Sequence, residues 1–258
     1  MTHFKHYFID LDGTIYQGKN QFPSGRRFIE RLKQAQIDYL FVTNNSTKTP
    51  AEVAENLTLN HDIPTTEAQV YTSAMATADY LVNQQVQRAL VVGEVGLTDA
   101  LERQGIDIVQ TAQEQPQAVV VGLDRNISYE KLAQATLAIQ GGAAFIATNV
   151  DTNLPNERGL LPGAGTIVAA VQTATQTEPV VIGKPATPIM QQALKRVDAI
   201  PDEVIMVGDN YQTDILAGIN TQMATLLVYS GVSTPEQIAT VAQQPTYVVD
   251  SLDDWSIE

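Results

Sequence analysis

The chain contains no cysteine. Disulfide bridges and thiolate metal centres are therefore excluded. Histidine is scarce too: His3, His6 and His61 have no metal-ligand spacing and are expected at the surface. Positive charge is in short supply, with 15 Lys and Arg against 29 Asp and Glu, a net charge of −14. No basic cluster exceeds Arg26-Arg27, so the patch that a phosphate backbone requires is lacking and nucleic acid is not an expected partner. The acidity serves solubility. It also means that an anionic substrate must be attracted locally, by a metal or a few placed cations. No stretch approaches the roughly 20 consecutive apolar residues of a bilayer span. The segment Met1-Thr2-His3-Phe4-Lys5-His6 runs straight into an apolar run with no signal-peptide cleavage pattern. A cytoplasmic location without a membrane partner is the expectation, and the Asn-X-Ser/Thr triplets at Asn44, Asn45, Asn56 and Asn126 are then chance matches.

The 258 residues, 44% hydrophobic, are enough for one large domain or for a core domain with a smaller partner. Apolar runs of about four residues recur along the chain. They are Tyr7–Ile9, Tyr39–Val42, Val70–Thr72, Ala89–Val92, Ile106–Val109, Ala118–Val121, Ala144–Ala147, Val180–Ile182, Val204–Val207, Thr225–Val228 and Tyr247–Val249. Most are continuous rather than alternating, as strands buried on both faces of a parallel sheet are. Helical periods lie between them. Over Ser24–Ala35, Phe28, Leu32 and Ala35 share a face and Ser24 can cap; over Ser128–Gln140, Leu132, Leu137 and Ile139 recur at helical spacing. Strand alternating with helix predicts an α/β fold. Four strands end in glycine, at Gly93, Gly122, Gly183 and Gly208. Room for a tight turn accounts for the first two, and Val91-Val92-Gly93-Glu94-Val95-Gly96, which lacks the third glycine of a dinucleotide-binding turn, is read as a plain strand-to-helix turn. The last two precede charged residues at the strand ends where open α/β sheets bind ligands. The stretch 86–178 is rich in Ala, Gln, Thr and Val and poor in charged motifs. It predicts a domain inserted into a core made of 1–85 and 179–258.

Four polar constellations follow apolar runs. Asp10-Leu11-Asp12-Gly13-Thr14 puts two carboxylates two residues apart at a strand end, where both can face one substrate. Burying two like charges requires a cation or a proton, and phosphoryl transfer could use both: one carboxylate attacks phosphorus, the other protonates the leaving oxygen. A solvated Asp-Gly turn is the structural alternative. Thr43-Asn44-Asn45-Ser46 offers a hydroxyl and backbone amides for phosphoryl oxygens, or simply a polar capping loop. Gly183-Lys184-Pro185 fixes the approach of a lysine suited to a phosphate and a carboxylate, though taken alone it reads better as a surface lysine. Gly208-Asp209-Asn210-Tyr211-Gln212-Thr213-Asp214 returns carboxylates to a strand end. With Asp10 and Asp12 they would make an all-oxygen site for a hard cation such as Mg²⁺. Asp214 could instead complement the dipole of a helix starting near Ile215.

Taken in order, these four motifs resemble those of the haloacid dehalogenase superfamily phosphatases. Asp209-Asn210…Thr213-Asp214-Ile215-Leu216-Ala217-Gly218, Ser230-Gly231-Val232-Ser233, Ala147-Thr148-Asn149-Val150-Asp151 and Gly159-Leu160-Leu161-Pro162-Gly163-Ala164-Gly165 are similar to its NagD-like branch of sugar-phosphate and nitrophenyl phosphatases. The resemblance covers nearly the whole chain. It implies a Rossmann-like parallel-sheet core with a large α/β cap inserted between Thr43 and Lys184. It implies Asp10 as nucleophile and Mg²⁺ ligand, and Asp12 as general acid and base with its backbone carbonyl on the metal. Thr43, Lys184 and the Asn44 backbone would bind the phosphoryl group, Asp209 would ligate Mg²⁺, and Asp214 would support the metal shell. Within the cap, Asn149, Asp151 and Arg158 could read the leaving group, Arg158 through a substrate carboxylate; a polar turn is the alternative.

The expected activity is hydrolysis of small phosphomonoesters, sugar or acid-sugar phosphates among them, through an aspartyl phosphate at Asp10. A phosphotransferase or mutase on the same site, and a catalytically silent sugar-phosphate-binding protein, are the other readings. The acid at Asp12 favours hydrolysis over dehalogenation, where attack on carbon needs no such acid.

Overall fold

Each of the apolar runs becomes a strand in the computed structural model, which describes residues 4–156 and 158–257. Along the chain, β1 (His6–Ile9) leads into a short hairpin, β2 (Tyr16–Gln17) and β3 (Asn20–Gln21). Then come α1 (Pro23–Gln34), β4 (Asp38–Thr43), α2 (Pro50–Asn60) and β5 (Val70–Thr72). The middle of the chain contains α3 (Ser73–Asn83), β6 (Arg88–Val92), α4 (Val95–Arg103), β7 (Asp107–Val109), β8 (Ala118–Val121), α5 (Tyr129–Gln140) and β9 (Ala144–Ala147). A second hairpin, β10 (Asn153–Asn156) and β11 (Gly159–Pro162), precedes α6 (Ala164–Thr175) and β12 (Val180–Val181). The remainder is α7 (Thr187–Arg196), β13 (Val204–Gly208), α8 (Leu216–Asn220), β14 (Ala224–Val228), α9 (Pro235–Ile238) and β15 (Tyr247–Val249).

The chain forms two compact units. The first takes the residues up to Thr43, Pro50–Tyr71 and Lys184–Glu258. Its six-stranded sheet has the order β15-β14-β13-β1-β4-β5, and β1 pairs in parallel with both β4 and β13. The strands are continuous apolar runs because helices need both faces: every residue of β13 is buried. Phe28, Ile29 and Leu32 of α1 pack with Ile9, Phe41 and Val207 on one side; Tyr211, Ile215, Leu227 and Ile238 form a smaller cluster.

The second unit takes Asn44–Thr49 and Thr72–Gly183. Its parallel sheet has the order β12-β9-β8-β6-β7, with Val119, Val121, Phe145, Val168 and Val171 among its core. Residues on either side of 86–178 belong to this unit: α3 precedes that stretch, and β12 follows it as an edge strand on β9. The Gly93–Gly96 turn joins β6 to α4 as a plain strand-to-helix turn.

Local details depart from the sequence reading in three places. Ser24 does not cap α1; Pro23 occupies the first turn after Phe22, since proline's fixed φ and missing N–H suit that position. Leu137 of α5 is half exposed rather than on the buried face, while Ser128 caps that helix by accepting from the Lys131 N–H. His61 is not at the surface: it is buried and its ring stacks on Tyr16. His3 lies outside the described residues. Among the described residues no helix is long and apolar enough to cross a membrane.

Candidate active site

In the first unit the strand order reverses direction at β1, with β4 and β5 on one side and β13 to β15 on the other. A reversal of this kind opens a crevice at the carboxyl ends of the strands. Asp10 directly follows β1, Asp209 directly follows β13, and Thr43 ends β4. All three are buried.

Lys184, in the segment leading to α7, is 1% exposed. Its ammonium donates to Asp10 Oδ1 at 2.6 Å, to Asp214 Oδ1 at 2.7 Å and to the Val42 carbonyl at 2.8 Å. That gives the three N–H groups of an ammonium one acceptor each. Burial opposes the positive charge, but the two carboxylates outweigh it and raise the lysine's pKa. Asp10 is pushed well above the usual carboxylate range, first by burial and then by Asp214, with Lys184 pulling the other way.

Asp214 belongs to a single wide helical turn, Tyr211–Ile215, ahead of α8. Its Oδ2 accepts the Asn210 N–H at 3.1 Å. Because it is buried and engaged by Lys184, it is not a solvent-facing charge on a helix end. Asp209 lies in a fitted cradle. Thr14 Oγ1 donates to its Oδ1 at 3.0 Å and the Val232 N–H to its Oδ2 at 2.7 Å. Gly13 (φ +95°) and Gly231 close the cradle, and a Cβ at either would overlap the carboxylate. The Ser230 hydroxyl ties this loop to the Gly13 carbonyl at 2.6 Å. Burial and then Asp214 push Asp209 up to about 6, against the Val232 and Thr14 hydrogen bonds.

Carboxylate oxygens of Asp10, Asp209 and Asp214 lie within 4.8 Å of one another. Three carboxylates and one ammonium leave a formal charge of −2 on this buried cluster. An oxygen-only donor set with a deficit of two charges fits a hard divalent cation. The Asp12 side chain is not one of the three. It is exposed, and its Oδ1 accepts the Gly18 N–H at 3.3 Å. Desolvation by surrounding protein raises its pKa, while that N–H and His61 lower it.

The second unit gathers another set of the expected residues. Asn44 Nδ2 donates to both carboxylate oxygens of Asp151, at 3.2 and 3.1 Å. Asn149 Nδ2 donates to the Asn44 carbonyl at 2.8 Å, and its Oδ1 accepts the Asp151 N–H at 3.1 Å. Ser73 also donates to the Asn44 carbonyl. Arg158 is exposed, in the turn between β10 and β11. Several groups that shape these clusters are backbone atoms: the Val42 carbonyl and the N–H groups of Gly18, Asn210 and Val232. Residue identity carries no signal for them. Ser230 did carry one, as a hydroxyl before a glycine in a loop after a buried strand.

A fold of this class with acidic strand ends and one buried lysine is that of a phosphoryl-transfer hydrolase. The model of haloacid dehalogenase-like hydrolases matches residues 7–107, and a related HAD-hydrolase-like model matches 181–255. The 5'-nucleotidase YutF of Bacillus subtilis is 46% identical over 99% of this chain and 98% of its own length. An acid sugar phosphatase of Staphylococcus aureus is 45% identical over 98% of this chain and 97% of its own. The crystal structure of a double mutant of a thermostable NPPase from Geobacillus stearothermophilus superposes with a TM-score of 0.93 at 47% identity, covering all of both chains. NagD from Escherichia coli K-12 gives 0.92 at 31% identity, over 99% of this chain and 100% of its own. The chain belongs to the haloacid dehalogenase-like hydrolases, and within them it is a NagD-like phosphatase, a phosphoric monoester hydrolase.

Two outcomes follow from the charge balance. Lys184→Met leaves Asp10 and Asp214 buried without their cation, which costs about 3–5 kcal/mol in urea unfolding at neutral pH. Lys184 holds the Asp10 pKa down, so removing it raises that pKa further; the folded variant then binds more protons than the folded wild type, and the deficit narrows as pH falls. A divalent cation must displace the proton from Asp209, whose pKa is about 6. Protons on Asp10 compete as well, so calorimetric titration should show affinity for the cation weakening as pH falls through about 6.

Proposed function

We propose that this phosphatase acts in the cytoplasm on small phosphomonoesters, sugar and acid-sugar phosphates among them, with Mg²⁺, through an aspartyl phosphate on Asp10. The observation that carries this reading is the state of Asp10: Lys184 engages Oδ1 and thereby orients the carboxylate, with Oδ2 as the attacking atom. Asp10, Asp209 and Asp214, with the Asp12 backbone carbonyl, would hold the metal. When bound, Mg²⁺ offsets the repulsion between two anions and stabilises charge on the transferring phosphoryl group.

Asp10 Oδ2 forms a bond to phosphorus as the bond to the leaving oxygen breaks. Asp12 gives its proton to that oxygen, and its pKa is raised by burial, the direction this role requires. The Asp12 carboxylate then takes a proton from water as the water oxygen bonds to phosphorus. The Asp10–phosphorus bond breaks, which returns the carboxylate and releases phosphate. Thr43 binds phosphoryl oxygens with the Asn44 backbone, and Lys184 binds one by exchanging one of its present acceptors for it. Residues 86–178, with the flanking α3 and β12 of the same unit, form the cap, and Asn149, Asp151 and Arg158 contact the remainder of the substrate. The names of the relatives support the substrate class: one is a 5'-nucleotidase, another an acid sugar phosphatase.

The test is a phosphate-release screen with Mg²⁺ over sugar phosphates, acid-sugar phosphates and nucleoside monophosphates. The expected hits are sugar or acid-sugar phosphates, with activity lost reversibly on chelation. Asp10→Asn should fold normally and lose activity by at least about 10³-fold, because the nucleophile is gone. Near-normal turnover in that variant, or a chelator-resistant rate in the wild type, would contradict the reading.

A further inference from the structure

We propose that His61 is a positioning residue for Asp12, acting through the Tyr16 ring and the hairpin that starts there; this rests on reading Asp12 as the acid that protonates the leaving group. The Asp12 side chain is exposed, and the Gly18 N–H is the donor that engages its Oδ1. Gly18 lies in the tip between β2 and β3, a hairpin of two residues per strand whose residues Gln17–Gln21 are all exposed. Such a hairpin has too little core to hold itself. The orientation of the acid therefore depends on whatever fixes the hairpin's base.

Tyr16 packs against the hydrophobic core of the unit, and two tethers add to this, both from consecutive residues at the end of α2. The His61 and Tyr16 rings stack at 4.1 Å between centroids with planes 12° apart. Gln21 Nε2 donates to the Asn60 carbonyl at 2.7 Å. One tether holds each strand, at the paired positions Tyr16 and Gln21. The post itself is firm. His61 is 3% exposed, the chain turns at Asp62 with φ +56°, and the Ile63 N–H returns to the Leu57 carbonyl at 3.0 Å.

Tyr16 transmits the anchor directly to the catalytic loop. Its carbonyl accepts the Gly13 N–H at 2.7 Å and its N–H donates to the Leu11 carbonyl at 3.3 Å. Asp12 is thus bracketed by two residues bonded to Tyr16, and its carboxyl is held by a third residue two positions beyond it. The charges of Asp12 and Asp10 also raise the Tyr16 phenol's pKa, after burial, as expected of a ring close to both carboxylates. Removing the His61 ring frees Tyr16 to tilt, and the Gly18 N–H then moves off Asp12.

An acid that is present but misaimed fails most where the leaving group needs its proton most. Phenyl phosphate releases a phenol of pKa about 10, like tyrosine; p-nitrophenyl phosphate releases a far more acidic one from nearly the same shape. The comparison is of kcat/KM for both esters, with Mg²⁺, in the full-length protein. His61→Ala should lower kcat/KM for phenyl phosphate at least about ten-fold and for p-nitrophenyl phosphate no more than about three-fold. His61→Phe, which retains a stacking ring, should restore both to within about two-fold of wild type. Asp12→Asn serves as the reference and should show the same selectivity, more strongly. If Asp12→Asn loses both esters equally, the acid assignment fails and the inference falls with it. If Asp12→Asn is selective but His61→Ala loses both equally, or the phenylalanine does not restore, His61 is only structural and the inference is overturned. Should His61→Ala give no cooperative thermal melt, Gln21→Ala removes the other tether at an exposed site, and a selective loss supports the proposal while an equal loss or none overturns it.

Discussion

The Lys184 ammonium, buried between Asp10 and Asp214, is the contact on which the rest of the site depends. A buried lysine is tolerable only with its charge answered and its N–H groups taken up. Here the two carboxylates and the Val42 carbonyl supply both. The acceptors come from the end of β1, the end of β4 and the wide turn after β13. One cation therefore fixes the spacing of strand ends that are far apart in sequence. Ion pairs of this kind give little net stability compared with an apolar replacement of both partners. Holding the oxygens of Asp10, Asp209 and Asp214 within 4.8 Å of one another is better understood as a requirement of chemistry than of folding.

The same contact leaves the cluster incompletely neutralised. One ammonium cannot balance three carboxylates, and burial together with that excess raises the pKa values of Asp10 and Asp209. A dication would answer that excess. The Asp209 cradle fits this division of labour. Thr14 and Val232 hold its oxygens in place with one hydrogen bond each, and a carboxylate oxygen has a further lone pair for a metal. In a chain with net charge −14, an anionic ester would meet a neutralised site only with such a cation in place.

Much of this was legible in the residues. The continuous Val- and Ile-rich runs became the strands of the two parallel sheets, because burial on both faces removes any need for alternation. Asp10, Lys184, Asp209 and Asp214 were identifiable because each follows or borders such a run, and the sheet order brings them together. The hairpins β2–β3 and β10–β11 were not legible: they are short, largely exposed and without an apolar period. His61 looked like a surface residue because the ring it stacks on, Tyr16, is 45 positions away and belongs to one of those hairpins. The pairing of Asn44 with Asp151 was equally hidden. Long-range contacts between polar side chains have no periodicity to betray them.

The central claim is that the phosphoryl group passes through Asp10, and the most direct measurement is chemical mapping of that bond. The wild-type protein is mixed with a turning-over phosphomonoester and Mg²⁺, quenched within the first turnover, and reduced with borohydride, which converts an acyl phosphate to the corresponding alcohol. Peptide mass spectrometry should find the reduced residue at Asp10, in amounts that rise with substrate and vanish without it. Modification at another carboxylate, or phosphate release at full rate with no reduced residue at any time within the first turnover, would contradict the account.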